Sequence, residues 1–303
     1  MKFSGITRVY LSIILAMTFW SLTFVWFKIV NEVYPPFTII FLRLVISSAI
    51  LLVAGWVANV LQKISRKDFK WILLLSVFNP FLYYICEGLG LTMVTSTLAA
   101  IIISTIPLFV PVGASIFLHE RLTPLNIAGI FISFSGVLIV LIKRDFSFGA
   151  NTLGVILLLL AVFCAVSYTL IVKKLMDRYN AFSLTAYQNL FGIVFFLPLV
   201  AIFEFRSTMN SVLTVKAAIS LICLAIFGST VAFILYNYSV KNLGASKANI
   251  FTNIIPVLTA IFSYFILNET MTFQKITGIA VVLAGLLLSQ MGRINKKERF
   301  VSP

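Results

Sequence analysis

The chain has 303 residues, 61% of them hydrophobic and only 11% charged, and its mean hydropathy is +1.08. These values exclude an ordinary soluble domain, which is about half apolar and about a quarter charged, and leave an integral membrane protein. A net charge of +14 would suggest nucleic acid in a soluble protein, but in a membrane protein the basic residues first report topology.

Apolar runs between polar breaks predict ten spans, each near the ~20 residues a helix needs to cross the hydrocarbon core. The first half gives Val9–Ile29, Pro36–Val60, Phe69–Leu91, Ser96–Leu118 and Pro124–Ile142. The second gives Thr152–Lys173, Ala181–Phe203, Val215–Val240, Ala245–Leu267 and Phe273–Met291. No barrel-like alternation is present, so the expected fold class is an all-α membrane protein. The first run is as long as a true span and lacks a small-residue cleavage site, so it is expected to stay in place and not to act as a removable signal peptide. Cys86, Cys164 and Cys223 fall inside apolar runs without metal-ligand spacing, and no metal or cofactor is expected.

Ten spans put both termini on one side. Sixteen of the 23 lysines and arginines fall on that set of loops and ends, six on the opposite set, and Arg43 within a span. The positive-inside rule then places both termini in the cytoplasm, with a bacterial inner membrane as the expected location. The basic tail over 293–303 reads as a topology anchor, with lipid headgroups and not nucleic acid as its neighbours.

The segment Ile101–Thr123 is written twice. Pro107 and Glu120 recur as Pro256 and Glu269, both at a separation of 149 residues, and Gly129 and Gly136 recur as Gly278 and Gly285 at the same separation. The chain therefore divides into two five-span units, 1–146 and 147–292. An odd number of spans per unit turns the second upside down, the inverted-repeat signature of secondary transporters. On these features the chain resembles the drug/metabolite transporter superfamily, EamA type: Ser96 through Pro107 to His119-Glu120-Arg121-Leu122-Thr123, and Ala245-Ser246 through Pro256 to Asn268-Glu269-Thr270, each followed by a helix with two glycines. The resemblance implies a helical bundle with a central cavity and export of small metabolites, commonly amino acids or related amphiphiles.

The candidate site residues lie inside spans. Pro107 and Pro256 each delete a backbone hydrogen bond, so the carbonyls of Ile103 and Thr252 are expected to face protein or a wet cavity; a packing kink is the other reading. Asn249, Asn253 and Pro256 share a face at i, i+4, i+7, opposite Ala100, Ser104 and Pro107 in the first copy. They offer a solute amide donors and acceptors, or they bond between helices. Glu87 is the acidic residue deepest in a span, on one face with Asn79 and Tyr83. It is the candidate for exchanging a coupling proton or pairing with a substrate cation, unless it reaches headgroup water. Arg43 could meet a substrate carboxylate, pair with Glu87, or bind helix ends and snorkel outward, which its long stem favours. Trp20, Phe24, Tyr168, Phe233 and Asn237 complete the set, Trp20 being the mid-span aromatic most suited to touch a solute. His119, Glu120 and Glu269 read as helix-end fasteners.

There is no phosphate-binding loop, no paired His-Glu metal motif and no soluble extension of ATPase size, so an enzyme is not expected and transport would draw on a gradient. The expected partners are a small-molecule substrate and the bilayer, in a monomer or weak homodimer. An exporter of organic cations, a membrane scaffold and an intramembrane enzyme are the competing readings. A single cysteine placed at Arg66 or Lys67 is expected to react with impermeant reagents only from the cytoplasmic face; labelling from the other face reverses the orientation.

Overall fold

In hydrocarbon the backbone must satisfy its own polar groups within each segment, and only helices or closed barrels do so. The computed structural model describes residues 5–118, 123–141, 150–243, 248 and 251–298, and the regular elements among them are all helices, with no strand. The elements are α1 (Gly5–Asn31), α2 (Pro36–Val57), α3 (Phe69–Met93), α4 in two pieces (Ser96–Ile103 and Ile106–Leu118) and α5 (Pro124–Leu141). They continue with α6 (Thr152–Leu175), α7 (Ala181–Asn210), α8 (Val215–Leu243), α9 (Phe251–Leu267) and α10 (Phe273–Glu298). Among the described residues eight helices are long and apolar enough to cross a membrane, and the apolar lengths of the last two, Phe251–Leu267 and Phe273–Ser289, are shorter.

Capping follows from residue type. Thr95, Asn151, Asn180 and Thr214 are extended and accept a hydrogen bond from the backbone three residues on, which satisfies one of the free N–H groups of a helix start. Two carboxylates do the same across the bundle. Glu204, six residues before the end of α7, accepts from the Phe37 and Thr38 N–H groups at 3.1 and 2.6 Å and from the Thr38 hydroxyl at 2.9 Å. Glu269, after α9, accepts from the Ser96 and Thr97 N–H groups at 2.7 and 3.3 Å and from the Thr97 hydroxyl at 2.7 Å. A negative charge at a helix N-terminus also meets the positive end of the macrodipole. His119 and Glu120 lie outside the described residues.

Helices α5 and α10 approach through glycine. A Cβ added at Gly129 would lie 2.5 Å from the Gly285 carbonyl oxygen, and one at Gly136 would lie 2.9 Å from the Gly278 carbonyl oxygen. The contact is antiparallel, since the earlier glycine of one helix faces the later glycine of the other. Small residues let backbones meet where lipid provides no hydrophobic drive for association. Three helices also carry π-helical turns: Val77–Leu82 in α3, Val200–Glu204 in α7 and Leu224–Val231 in α8. Each turn holds an extra residue and shifts the phase of the side chains that follow.

Pro107 and Pro256 both stand in the first turn of a helical piece. Helix α4 stops at Ile103, and Pro107 is the second residue of the new piece; α9 opens with a 3₁₀ turn, Phe251–Ile254, and Pro256 is the second residue of the α-helix that follows. Proline is tolerated there because its missing N–H would have no helical partner.

Gly285→Val is expected to cost about 1–3 kcal/mol through overpacking, because the added Cβ would stand 2.5 Å from the Ser133 backbone nitrogen, which cannot rotate away. Thermal unfolding in detergent measures it, and an unchanged midpoint would show that α5 and α10 can separate freely.

Candidate functional site

The interruptions in the helices converge on a cavity of about 90 Å³, several times the ~10–15 Å³ that one water requires. Helix α1 supplies Trp20, Thr23 and Phe24, one face at helical spacing; α6 supplies Ala165, Tyr168 and Thr169; α8 supplies Phe233 and Tyr236. The two breaks border it directly, with Ile103 and Ile106 from α4 and Thr252 and Ile255 from α9. Ser21 ties α1 to α9 beside it, donating to the Ile255 carbonyl at 3.4 Å and accepting from Thr259 through its own carbonyl at 3.3 Å.

Helix α3 brings Asn79, Tyr83, Tyr84 and Glu87 to the wall. Asn79 has extended backbone angles inside the π turn, so Tyr83, Tyr84 and Glu87 form a freshly phased helical face below it. The Tyr83 hydroxyl donates to Glu87 Oε1 at 2.7 Å. Glu87 is thus a half-buried carboxylate on the cavity wall, hydrogen-bonded to a phenol.

Arg43 of α2 also lines the cavity and is only 4% exposed. It does not snorkel. Its Nε donates to Ser229 Oγ at 2.7 Å, its Nη2 to the Tyr84 hydroxyl at 3.2 Å, and its guanidinium carbon stands 4.5 Å from the Tyr84 ring centre. Behind it, Asn189 of α7 donates to the Ser229 carbonyl at 3.1 Å and to Ser47 Oγ at 2.8 Å, and Ser47 shares a 2.6 Å hydrogen bond with Thr230. The Arg43–Glu87 pairing considered from the sequence is not made: among the described residues the ion pairs are Arg178–Asp68 at 2.6 Å and Lys275–Glu269 at 3.9 Å. One cavity thus carries a guanidinium and a carboxylate, each with a tyrosine partner and neither neutralising the other by direct contact.

Aromatic rings fill the remaining wall. Trp20 meets Phe233 edge-on with centroids 5.2 Å apart and Tyr236 at 4.9 Å, and Tyr168 meets Phe233 edge-on at 6.4 Å. Of the other sequence candidates, Ser104 is fully buried at the α4 break, donating to the Ile101 carbonyl at 2.7 Å. Asn253 lies next to cavity-lining Thr252, buried, with neither amide atom hydrogen-bonded. Asn237 is fully buried and turned toward α7, its Nδ2 3.4 Å from Thr185 Oγ1. Asn249 lies outside the described residues. Among the polar and aromatic lining, sequence reasoning missed Thr23, Tyr84, Thr169 and Tyr236. No group of histidine, cysteine or acidic side chains suited to a metal occurs among the described residues.

Ser229→Ala leaves the Arg43 Nε without its acceptor and is expected to cost about 1.5–3 kcal/mol, the range for a hydrogen bond to a charged group. Tyr84→Phe, which removes a longer bond but keeps the ring, should cost less. Unfolding midpoints in detergent compare the two, and no loss in either would show that the guanidinium is not anchored at these hydroxyls.

The model of the EamA-like transporter family matches residues 7–142 and again 152–291. Among curated relatives, the uncharacterized transporter YetK of Bacillus subtilis (strain 168) is 30% identical over 95% of this chain and 88% of its own. An uncharacterized transporter of Archaeoglobus fulgidus is 26% identical over 93% of this chain and 97% of its own. A probable terminal-alkyne amino-acid exporter of Streptantibioticus cattleyicolor is 24% identical over 96% of each chain. One solved crystal structure superposes with a TM-score of 0.70 over 98% of this chain and 99% of that one, at 18% identity, which is a likeness of fold. With two matches that together span nearly its whole length, the chain belongs to the EamA-like transporter family.

Proposed function

We propose that this transporter exports small amphiphilic metabolites, amino acids foremost, by alternating access of two inverted five-helix units, 1–146 and 147–292, around the central cavity. The observation that carries the substrate reading is the pair of opposite charges lining one cavity without touching. A zwitterion satisfies both: its carboxylate suits the planar fork of Arg43, its ammonium suits Glu87, and the rings of Trp20, Phe233 and Tyr236 suit an apolar side chain. A solute with one charge leaves the opposite pole unpaired in a low-dielectric site, which is costly. The similarity to a probable terminal-alkyne amino-acid exporter is consistent with this.

Reciprocal packing supports the inverted arrangement. Helix α1 packs on α8 and α9, while α6 packs on α3 and α4, and α2 with α7, α4 with α9 and α5 with α10 pair as self-matched partners. A twofold axis in the membrane plane would produce that pattern, and it accounts for the antiparallel Gly129–Gly285 and Gly136–Gly278 contacts. In this reading all ten helices span, both termini are cytoplasmic in a bacterial inner membrane, and Glu87 exchanges the coupling proton.

An exporter of organic cations is the second reading. Glu87 and the surrounding rings favour it, since aromatic faces attract cations, whereas Arg43 opposes it. Proteoliposome flux separates the two. Labelled neutral amino acids are expected to move in response to a pH gradient, with cationic dyes excluded. Arg43→Met and Glu87→Gln should each lower amino-acid flux by about tenfold or more, the loss of one charge-assisted bond. Dye transport that needs Glu87 and survives Arg43→Met would replace the zwitterion reading with the cation one.

A further inference from the structure

Glu269 does not line the cavity, yet it joins the two helices that break there. The first piece of α4, Ser96–Ile103, is buried along its length and ends at the interruption on the cavity wall. Its other end is held by the Glu269 carboxylate through the Ser96 and Thr97 N–H groups and the Thr97 hydroxyl. Helix α9 has the same plan. Its described stretch, Phe251–Leu267, includes a 3₁₀ turn beside cavity-lining Thr252 and ends at Asn268, whose left-handed backbone, φ 54°, carries the chain round to Glu269. The two helices pack together between these points. Each therefore has an interruption at the cavity, and they are tied at the far end by one carboxylate.

The surroundings of that carboxylate are charged. Lys275 of α10 places its Nζ 3.9 Å from Glu269 Oε2 while donating to the Thr270 carbonyl at 2.8 Å, and Lys28 of α1 lies within electrostatic reach. Ser96 continues the connection to the cavity, its hydroxyl donating to the carbonyl of Phe24 at 3.3 Å. Glu204 makes the same three bonds to the start of α2, but α2 runs unbroken from Pro36 to Val57. Freed of its cap, α2 has no break at the cavity about which to turn.

We propose that Glu269 is the latch of a gate: by capping the first piece of α4 it holds that piece against α9 at one end of the cavity, and its release lets the two swing apart about their breaks. Glu269 is a positioning residue, acting on access and not on the solute. The proposal rests on the alternating-access reading.

The test uses the full-length protein with Cys86, Cys164 and Cys223 replaced by serine and a reporter, Ala165→Cys, on the cavity wall. An impermeant thiol reagent is applied from each side of the membrane. Glu269→Gln and Glu269→Ala are expected to raise the labelling rate from the Glu269 side by about tenfold, the factor that one lost charge-assisted hydrogen bond carries. Glu269→Asp should retain part of the latch, and Glu204→Gln should leave the rate unchanged. Unchanged labelling in Glu269→Gln, or equal rises in Glu269→Gln and Glu204→Gln, would overturn the proposal, the first showing a static cap and the second a general loosening. If Glu269→Ala fails to fold, Glu269→Gln decides. Wild-type protein that passes no solute would remove the transport reading, while the labelling rates would still judge the latch.

Discussion

A guanidinium inside a membrane bundle has to be held, and holding Arg43 organises the centre of this protein. A charge in low dielectric loses its hydration and must recover it from fixed dipoles. Arg43 recovers it from Ser229 on α8 and Tyr84 on α3, and the support extends through Asn189 on α7 to Ser47 and Thr230. Four helices from both halves of the chain are thereby keyed to one side chain. Gly228 belongs to the same arrangement: a Cβ there would stand 2.5 Å from Thr23 Cγ2 and 3.3 Å from the Arg43 Nη2, so the residue beside Ser229 has to be small.

The second constraint is the backbone itself. Breaking α4 and α9 exposes peptide groups that lipid cannot solvate, so the breaks occur where a cavity or buried polar side chains can receive them. Prolines start the new helices because the first turn needs fewer donors. At the far ends, the N–H groups of α2 and α4 are met by Glu204 and Glu269, carboxylates that would otherwise be expensive to bury. Each costly feature thus offsets another: free N–H groups justify buried acids, and a cavity with polar lining groups justifies interrupted helices.

Much of the candidate site was legible because the signals were local. Trp20 and Phe24 share a face at any helical phase, and Glu87 stood out as an acid in an apolar run. Tyr84 was not legible. A regular helix through Asn79, Tyr83 and Glu87 excludes its neighbour, but the π turn and the extended Asn79 reset the phase, so Tyr83 and Tyr84 both reach the cavity. Asn237 shares a helical face with cavity-lining Phe233 but is itself fully buried, where α7 packs against α8 and its Nδ2 lies 3.4 Å from Thr185 Oγ1.

By itself the sequence determined the membrane class, the positions of the apolar helices, the doubled proline and glycine pattern and the family resemblance, because hydropathy and short motifs depend on nearest neighbours along the chain. Only the tertiary structure decided which faces meet. It turned Arg43 inward because acceptors from two other helices were waiting, set Glu87 on the same cavity without pairing the two, and showed Glu269 to be the tie between two broken helices. Those outcomes depend on contacts between residues more than a hundred positions apart and on local changes of helical pitch, neither of which periodicity can report.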